Sequence, residues 1–461
     1  MRVRLFGHGW HVPLMLLWVS ETVASLAAIP LARVWIHEPN VGARIAWIQN
    51  GVFAFYVVLL MVAMGLFSRR LRERTAGIVL RVSVSVLVGG LIAGLLLAWS
   101  VRYSMSIRLF MVSLLVAWLL IMLMRTIARG LINQDLFKQR ILVIGTGVNA
   151  SRILDVRRRE DRRGFKVIGF MALPGETVKV RPERVLPANG TLVETATAHE
   201  ADEIVVALDE RRQQFPLKEL LDCRLAGFRI SEPITFLERE TGKVFLDMLS
   251  PSWVIFGGGF RRDGMRQFTE RGFDLLASLV LLAVTVPLML LVAIAIKLED
   301  GLRAPVFYSQ PRVGQGGRVF RVRKFRSMRV DAEKDGQARW ATANDDRVTR
   351  VGHIIRKIRL DELPQLYNVF RGDMSFVGPR PERPEFVERL GKQISYYNER
   401  HSVKPGITGW AQLCYPYGAS DQDALEKLQY DLYYVKHHSL AFDLLILLQT
   451  AEVILFGKGA R

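Results

Sequence analysis

Apolar residues fill four long runs in the first quarter of the chain, at 12–36, 46–67, 78–99 and 107–124. Each approaches the roughly 20 residues that a spanning helix requires. The pattern therefore predicts a four-helix transmembrane bundle over residues 1–130. No small-x-small cleavage site leads from the first run into a polar mature chain, so it reads as a retained anchor rather than a secretory signal. Arg2 and Arg4 precede the first run. Arg69, Arg70, Arg72 and Arg74 lie between the second and third, and Arg125, Arg129, Lys138 and Arg140 follow the fourth. The alternate loops carry fewer positive charges, which puts both ends of the bundle, and everything after it, on the cytoplasmic side of the membrane.

From Gln139 the periodicity changes. QRILVIGTGVNASRILDVRRR reads as an apolar strand, a glycine turn and a helix, with further strands at 166–171, 203–208 and 228–230. This predicts a Rossmann-like α/β domain over 138–260. Gly145, Gly147 and Ala150 fit G-x-G-x-x-A, but the second strand runs into Ala172-Leu173-Pro174-Gly175 without a closing acid. A dinucleotide would lack its usual ribose partner, so the expectation is a structural or regulatory domain without NAD.

A fifth apolar run, 273–298, is also long enough to span. Arg261, Arg262, Arg266 and Arg271 precede it and Lys297, Arg303 and Arg312 follow, so both flanks look cytoplasmic. Pro287 near the midpoint removes a backbone donor and favours a kink. A re-entrant helix that bends and returns satisfies both observations; the alternative is a fifth span kinked by proline.

At 461 residues, 50% of them hydrophobic, the chain has room for two or three domains and is richer in apolar residues than soluble enzymes usually are. The 63 Lys plus Arg against 44 Asp plus Glu call for an anionic partner: headgroups, nucleotide diphosphates or nucleic acid. Cys223 and Cys414 form no disulfide or metal pattern and read as buried thiols. Glu21, inside the first run, reads as either a functional group or a helix–helix hydrogen bond.

Between Gly301 and Val330 eight basic residues occur and no acid. A headgroup-binding surface accounts for part of this segment. VFRVRKFRSM alternates like a strand, with Lys324 and Arg326 on one face and so able to act together on a phosphate. Farther on, RLDELPQLYNVFRGDMSFVGPRP sets Asp361 and Glu362 among Arg356, Lys357, Arg359, Arg371 and Arg380. Helix formers at 354–360 put the acids in or at the end of a helix, which Pro364 breaks or restarts. Two readings stay open. The acids either pair with the flanking arginines alone, or they hold a divalent metal while cations hold phosphate oxygens. In the second case a carboxylate can attack phosphorus, with Mg²⁺ and basic side chains offsetting the repulsion.

The motifs KFRSM (324–328), LDELPQL (360–366), NVFRGDMSFVGPRP (368–381), KPGITGWAQ (404–412) and DLYYVK (431–436) together resemble the bacterial sugar transferases known as polyprenyl-phosphate hexose-1-phosphate transferases, which are monotopic phosphoglycosyl transferases. The likeness covers 266–461, and larger members share the four spans and the Rossmann-like domain. It implies a membrane protein in which a mixed α/β cytoplasmic catalytic domain follows the re-entrant helix. It also implies transfer of a sugar 1-phosphate from a UDP-sugar to undecaprenyl phosphate, with release of UMP, at the start of exopolysaccharide or O-antigen synthesis. Under the resemblance Asp361 is the nucleophile of a phosphosugar–enzyme intermediate and Glu362 its partner at Mg²⁺. Lys324, Arg356 and Arg380 become phosphate contacts, and Gln365 and Pro381 shape the pocket. Relatives usually have Ser before the breaking proline; here Val286 stands there, leaving Thr285 to bond a freed carbonyl. The run 440–456 would lie at the membrane interface or in the core.

Membrane-bound NAD-dependent nucleotide-sugar dehydratases share the outline, but none of the eleven tyrosines has a lysine four residues on, as that chemistry requires. A non-catalytic polysaccharide-assembly scaffold is the other alternative. The hexose and any homo-oligomeric state are left open, and nucleic acid is not an expected partner.

Overall fold

The computed structural model describes residues 2–5, 8–39, 41–67, 75–99, 105–131, 138–154, 165–187, 190–209, 215–249, 264–329, 347–415, 418 and 420–456. Arg69, Arg70, Arg72 and Arg74, and Arg261 and Arg262, lie outside these. The chain divides into two compact units, Met1–Phe236 and Leu237–Arg461.

The first unit opens with a short antiparallel hairpin, β1 (Arg2–Leu5) and β2 (His8–His11). Four apolar helices follow, α1 (Val12–Ile36), α2 (Ala43–Ala63), α3 (Thr75–Ala98) and α4 (Ile107–Leu131), each long and apolar enough to cross a membrane. They share a core of Ala28, Phe53, Val57, Met61, Val82, Ala117 and Ile121. A Cβ added at Gly89 would sit 2.8 Å from the Tyr56 carbonyl, so this glycine is what lets α3 close onto α2. Glu21 of α1 is buried and ion-paired to Arg125 of α4 at 2.8 Å, an interhelical contact in line with the second of its two readings.

A parallel four-stranded sheet completes the unit, in the order β4 (Phe165–Met171), β3 (Gln139–Ile144), β5 (Glu203–Val206), β6 (Arg229–Ser231). Helices α5 (Val148–Leu154), α6 (Leu192–Ala198) and α7 (Leu217–Leu225) connect it, and α8 (Pro233–Thr241) follows. The runs ILVI and EIVV are buried along their length, and Leu192 and Ala196 of α6 and Leu220 and Cys223 of α7 pack with them in one core. In the glycine turn after β3, the backbone donors that nucleotide folds turn toward phosphate are already engaged. Thr146 N donates to Glu176 Oε2 at 2.9 Å, Val148 N to Asp209 Oδ2 at 2.7 Å and Asn149 N to Asp209 Oδ1 at 2.8 Å. Two of the chain's own carboxylates thus stand in the anion position.

In the second unit, α9 (Gly264–Asp300) is one continuous helix of 37 residues through Pro287, with most of its middle exposed. At its start, Arg271 donates to the carbonyls of Val369 and Phe370 at 2.8 and 2.7 Å. At its end, the Glu299 carboxylate accepts from Arg350 N and Val351 N at 2.7 and 2.9 Å. Both ends are therefore held by the same unit. Thr285 was expected to bond the carbonyl freed by proline; its hydroxyl instead bonds Leu281 O at 2.7 Å. A threonine reaches back four residues, whereas Pro287 frees the carbonyl of Ala283, which lies two residues from Thr285.

The remaining elements are the hairpin β7 (Phe307–Val313) and β8 (Val319–Phe325), α10 (Arg350–Lys357), α11 (Gln365–Arg371), β9 (Ser375–Val377), α12 (Pro384–Gln393), β10 (Gly406–Thr408), α13 (Trp410–Cys414), α14 (Asp421–His437) and α15 (Leu440–Phe456). Val322, Leu366, Val369, Met374, Phe376, Tyr434 and Ile446 form one core, packed against Phe273 and Ala277 of α9. Val292 and Ile296 of α9 join Phe325 and Ile355 in another. Cys223 is buried as expected, but Cys414, at the end of α13, is only half-buried.

Candidate active site

Two helices and a strand converge on the acid pair. The α10 helix starts on Thr349, whose hydroxyl accepts from Gly352 N, and ends at Lys357, earlier than the helix formers implied. Arg359 then adopts φ 60°, a left-handed conformation that breaks the helix and starts a 3₁₀ turn over Leu360–Glu362. In such a turn successive side chains point roughly 120° apart. Leu360 and Leu363 pack on the core shared with α9, and the two acids are left facing different partners. Pro364 caps the next helix, where its missing N–H costs nothing.

Glu362 is the salt-bridged member of the pair. Its Oε1 accepts from Lys324 Nζ at 2.9 Å and Arg380 Nη2 at 3.1 Å, with Arg359 Nη1 at 3.7 Å. Burial pushes its carboxyl up, but Arg380, Lys324 and Arg359 outweigh that and hold it well below the usual range. Burial in turn lowers the Lys324 ammonium, against the pull of Glu362.

Asp361 differs in its bonding and in the direction of its shift. It is 9% exposed, and its Oδ1 is buried with no hydrogen-bond partner. Burial and then the neighbouring Glu362 charge raise its pKa, opposed by Lys324, Arg359 and Arg356. An unbonded carboxylate oxygen under a cationic field is a competent nucleophile toward phosphorus, and a hard donor for a divalent cation.

The other expected residues separate into two groups. Lys324 and Arg380 meet at Glu362, and half-buried Arg356 adds to the field on Asp361. Gln365, the first residue of α11, is 4% exposed, and its Nε2 has no hydrogen-bond partner. Pro381 is buried, and its carbonyl accepts from Arg312 Nη1 at 3.1 Å. Arg326 is not brought to Lys324; it lies just past β8, and its Nε donates to Pro305 O at 2.9 Å. Arg371 turns to Asp373 at 3.4 Å.

Asn368 went unrecognised in the sequence. Its Oδ1 accepts from Arg323 N at 3.0 Å and its Nδ2 donates to Arg321 O at 2.9 Å, which joins α11 to the backbone of β8 beside Lys324. Its place in the NVFRGD motif was the available signal. No group of three or more His, Cys, Asp or Glu side chains gathers as a metal cluster among the described residues.

Residues 265–457 match the model of the bacterial sugar transferase family, and 62–220 that of a CoA-binding domain. Among curated relatives, the UDP-N-acetylgalactosamine-undecaprenyl-phosphate N-acetylgalactosaminephosphotransferase of Aeromonas hydrophila is 44% identical over 52% of this chain and 56% of its own length. The chain thus spans little more than half of that relative. The UDP-glucose:undecaprenyl-phosphate glucose-1-phosphate transferases of Xanthomonas campestris pv. campestris and Escherichia coli K12 are each 32% identical. These alignments cover 73% and 71% of this chain, and 71% and 70% of those proteins. The five motifs fall inside the matched 265–457 region, and the chain belongs to the bacterial sugar transferase family.

Proposed function

We propose that this chain transfers a sugar 1-phosphate from a UDP-sugar to undecaprenyl phosphate through a covalent intermediate on Asp361. The observation that carries the reading is the division of the acid pair: Glu362 is committed to Lys324 and Arg380, while Asp361 Oδ1 is buried and unpartnered. In the first step an Asp361 oxygen attacks the sugar-bearing phosphorus of the UDP-sugar, and the bond to the bridging oxygen breaks to release UMP. In the second, a phosphate oxygen of undecaprenyl phosphate attacks the same phosphorus and frees Asp361, leaving undecaprenyl diphosphate sugar. Lys324 and Arg380, fixed by Glu362, face the charge of the phosphoryl group, and Arg356 supports Asp361. The unpartnered Asp361 Oδ1 fits Mg²⁺, which takes one or two carboxylates and completes its shell with phosphate oxygens and water; Glu362, already engaged by Lys324 and Arg380, would add to it only as the neighbouring carboxylate. When bound, the metal would neutralise phosphate charge.

The reading needs the acids on the membrane face from which UDP-sugar arrives. Arg271 and Glu299, 28 residues apart, would lie roughly 42 Å from each other on a straight helix, against about 30 Å of hydrocarbon. Its two ends are nevertheless held by Val369 and Arg350, which lie on either side of the acid turn. This supports a helix that enters and leaves on the same face, with the catalytic unit cytoplasmic at the inner membrane; the bend at Pro287 is part of the proposal, since α9 runs unbroken through that residue. A cysteine at exposed Leu302 is expected to react with an impermeant maleimide only from the cytoplasmic side. Periplasmic labelling would establish a fifth span.

Purified protein with Mg²⁺, undecaprenyl phosphate and a panel of UDP-sugars is expected to release UMP with at least one of them. Release from none sinks the proposal. The four apolar helices, read as a transmembrane bundle, and the Rossmann-like domain need no catalytic part in this scheme.

A further inference from the structure

The stretch that carries Arg380 belongs to no helix or strand, and prolines flank the arginine on both sides. Neither proline has an N–H, so this backbone has little means of holding itself. Four consecutive carbonyls are gripped from outside instead. Pro379 O accepts from Gly406 N at 3.1 Å, Arg380 O from Arg400 Nη2 at 2.9 Å, Pro381 O from Arg312 Nη1 at 3.1 Å and Glu382 O from Val313 N at 2.9 Å.

The donor to Arg380 is itself fixed in the interior. Arg400 is 6% exposed; its Nη2 pairs with Asp431 Oδ2 at 2.7 Å and its Nη1 donates to the Tyr397 hydroxyl at 3.0 Å. Asp431 is 2% exposed and opens the DLYYVK motif, which the transfer chemistry leaves without a role. A buried ion pair is weak evidence of net stabilisation, so stability alone accounts poorly for it. A planar guanidinium with several donors in fixed directions can join a carboxylate, a phenol and a carbonyl at once.

We propose that Arg400, locked by Asp431 and Tyr397, is a positioning residue that sets Arg380 against Glu362 and toward the phosphate. The inference rests on the transfer reading for its kinetic consequence and on geometry alone for its structural one. Arg400 acts through the Arg380 backbone, so its effect exists only while the Arg380 guanidinium does.

The test is a double-mutant cycle on the full chain in nanodiscs, with the UDP-sugar that supports UMP release. Arg400→Lys keeps the charge but loses the fork. It is expected to lower kcat/KM roughly 10- to 100-fold, the scale of a displacement of about 1 Å. In the Arg380→Ala background the same change is expected to cost less than about 2-fold, because the group it positions is gone. Losses that multiply in the double variant, or a kcat that falls only with the folded fraction at unchanged KM, overturn the proposal. Tyr397→Phe removes one acceptor and keeps the cycle available if Arg400→Lys fails to fold; a smaller loss with the same coupling is expected. A cryo-EM structure of the folded variant decides independently of activity. Arg380 Nη2 displaced from Glu362 supports the inference, and an unchanged 3.1 Å contact overturns it. Absence of UMP release from the unaltered protein would sink the transfer reading, and this structural arm would still decide.

Discussion

Asp361→Asn is expected to lower turnover by at least about 10³-fold, the order seen when a covalent nucleophile is removed, and to leave no phosphosugar adduct on the protein. The amide is nearly isosteric, so packing around the 3₁₀ turn should survive, but its oxygen carries no charge to donate to phosphorus. The substitution also relieves a buried, unbonded carboxylate oxygen beside another acid. Stability is therefore expected to stay level or rise while activity disappears. Intact-protein mass spectrometry after incubation with UDP-sugar alone checks the adduct, and thermal melting checks the fold. An adduct that persists in the variant moves the nucleophile to another residue.

Glu362→Gln is expected to lose both activity and stability. Lys324 and Arg380 would keep their charges beside a neutral amide, and breaking a buried pair in this way costs several kcal/mol. Their side chains are 25% and 31% exposed, so solvent relieves part of that, and about 3 kcal/mol is the expected loss. Adding Lys324→Met removes the stranded ammonium, so the double variant is expected to recover part of the melting temperature and none of the turnover. A Glu362→Gln protein that melts like the parent would mean that the cations are held by something other than this carboxylate. The two acids thus give opposite stability signs from neighbouring positions, a contrast that a simple salt-bridge cluster would not produce.

Much of this was legible in the sequence because apolar run length and charge placement are local signals. The runs at 12–36 and 107–124 start at the same residues as α1 and α4, and the strand at 166–171 differs from β4 by one residue. The acid pair stood out for the same reason, as charges adjacent in the chain. What the sequence could not assign depends on tertiary contact. Arg326 lies two residues from Lys324, yet the strand ends between them and the two side chains take different partners. Arg359 looked like one more charge of the frame until its left-handed backbone placed it at the start of the acid turn. Arg400 lies 20 residues from Arg380 and 31 from Asp431, separations at which no periodicity can register a contact. The glycine turn gave a nucleotide-binding pattern, but its pattern does not encode that Asp209, 61 residues from Val148, fills the turn from within.

Glu299, in the last turn of α9, closes the amino end of the helix that leads into the acid turn. Under the proposed function, a membrane-seated α9 and the acid pair would thereby be linked like a lever and its load. Whatever sets how deep the helix sits, whether bilayer thickness, acyl-chain composition or lateral pressure, would be felt eleven residues beyond Arg350, at Asp361. The membrane in that case would tune the proposed chemistry as well as hold its proposed acceptor.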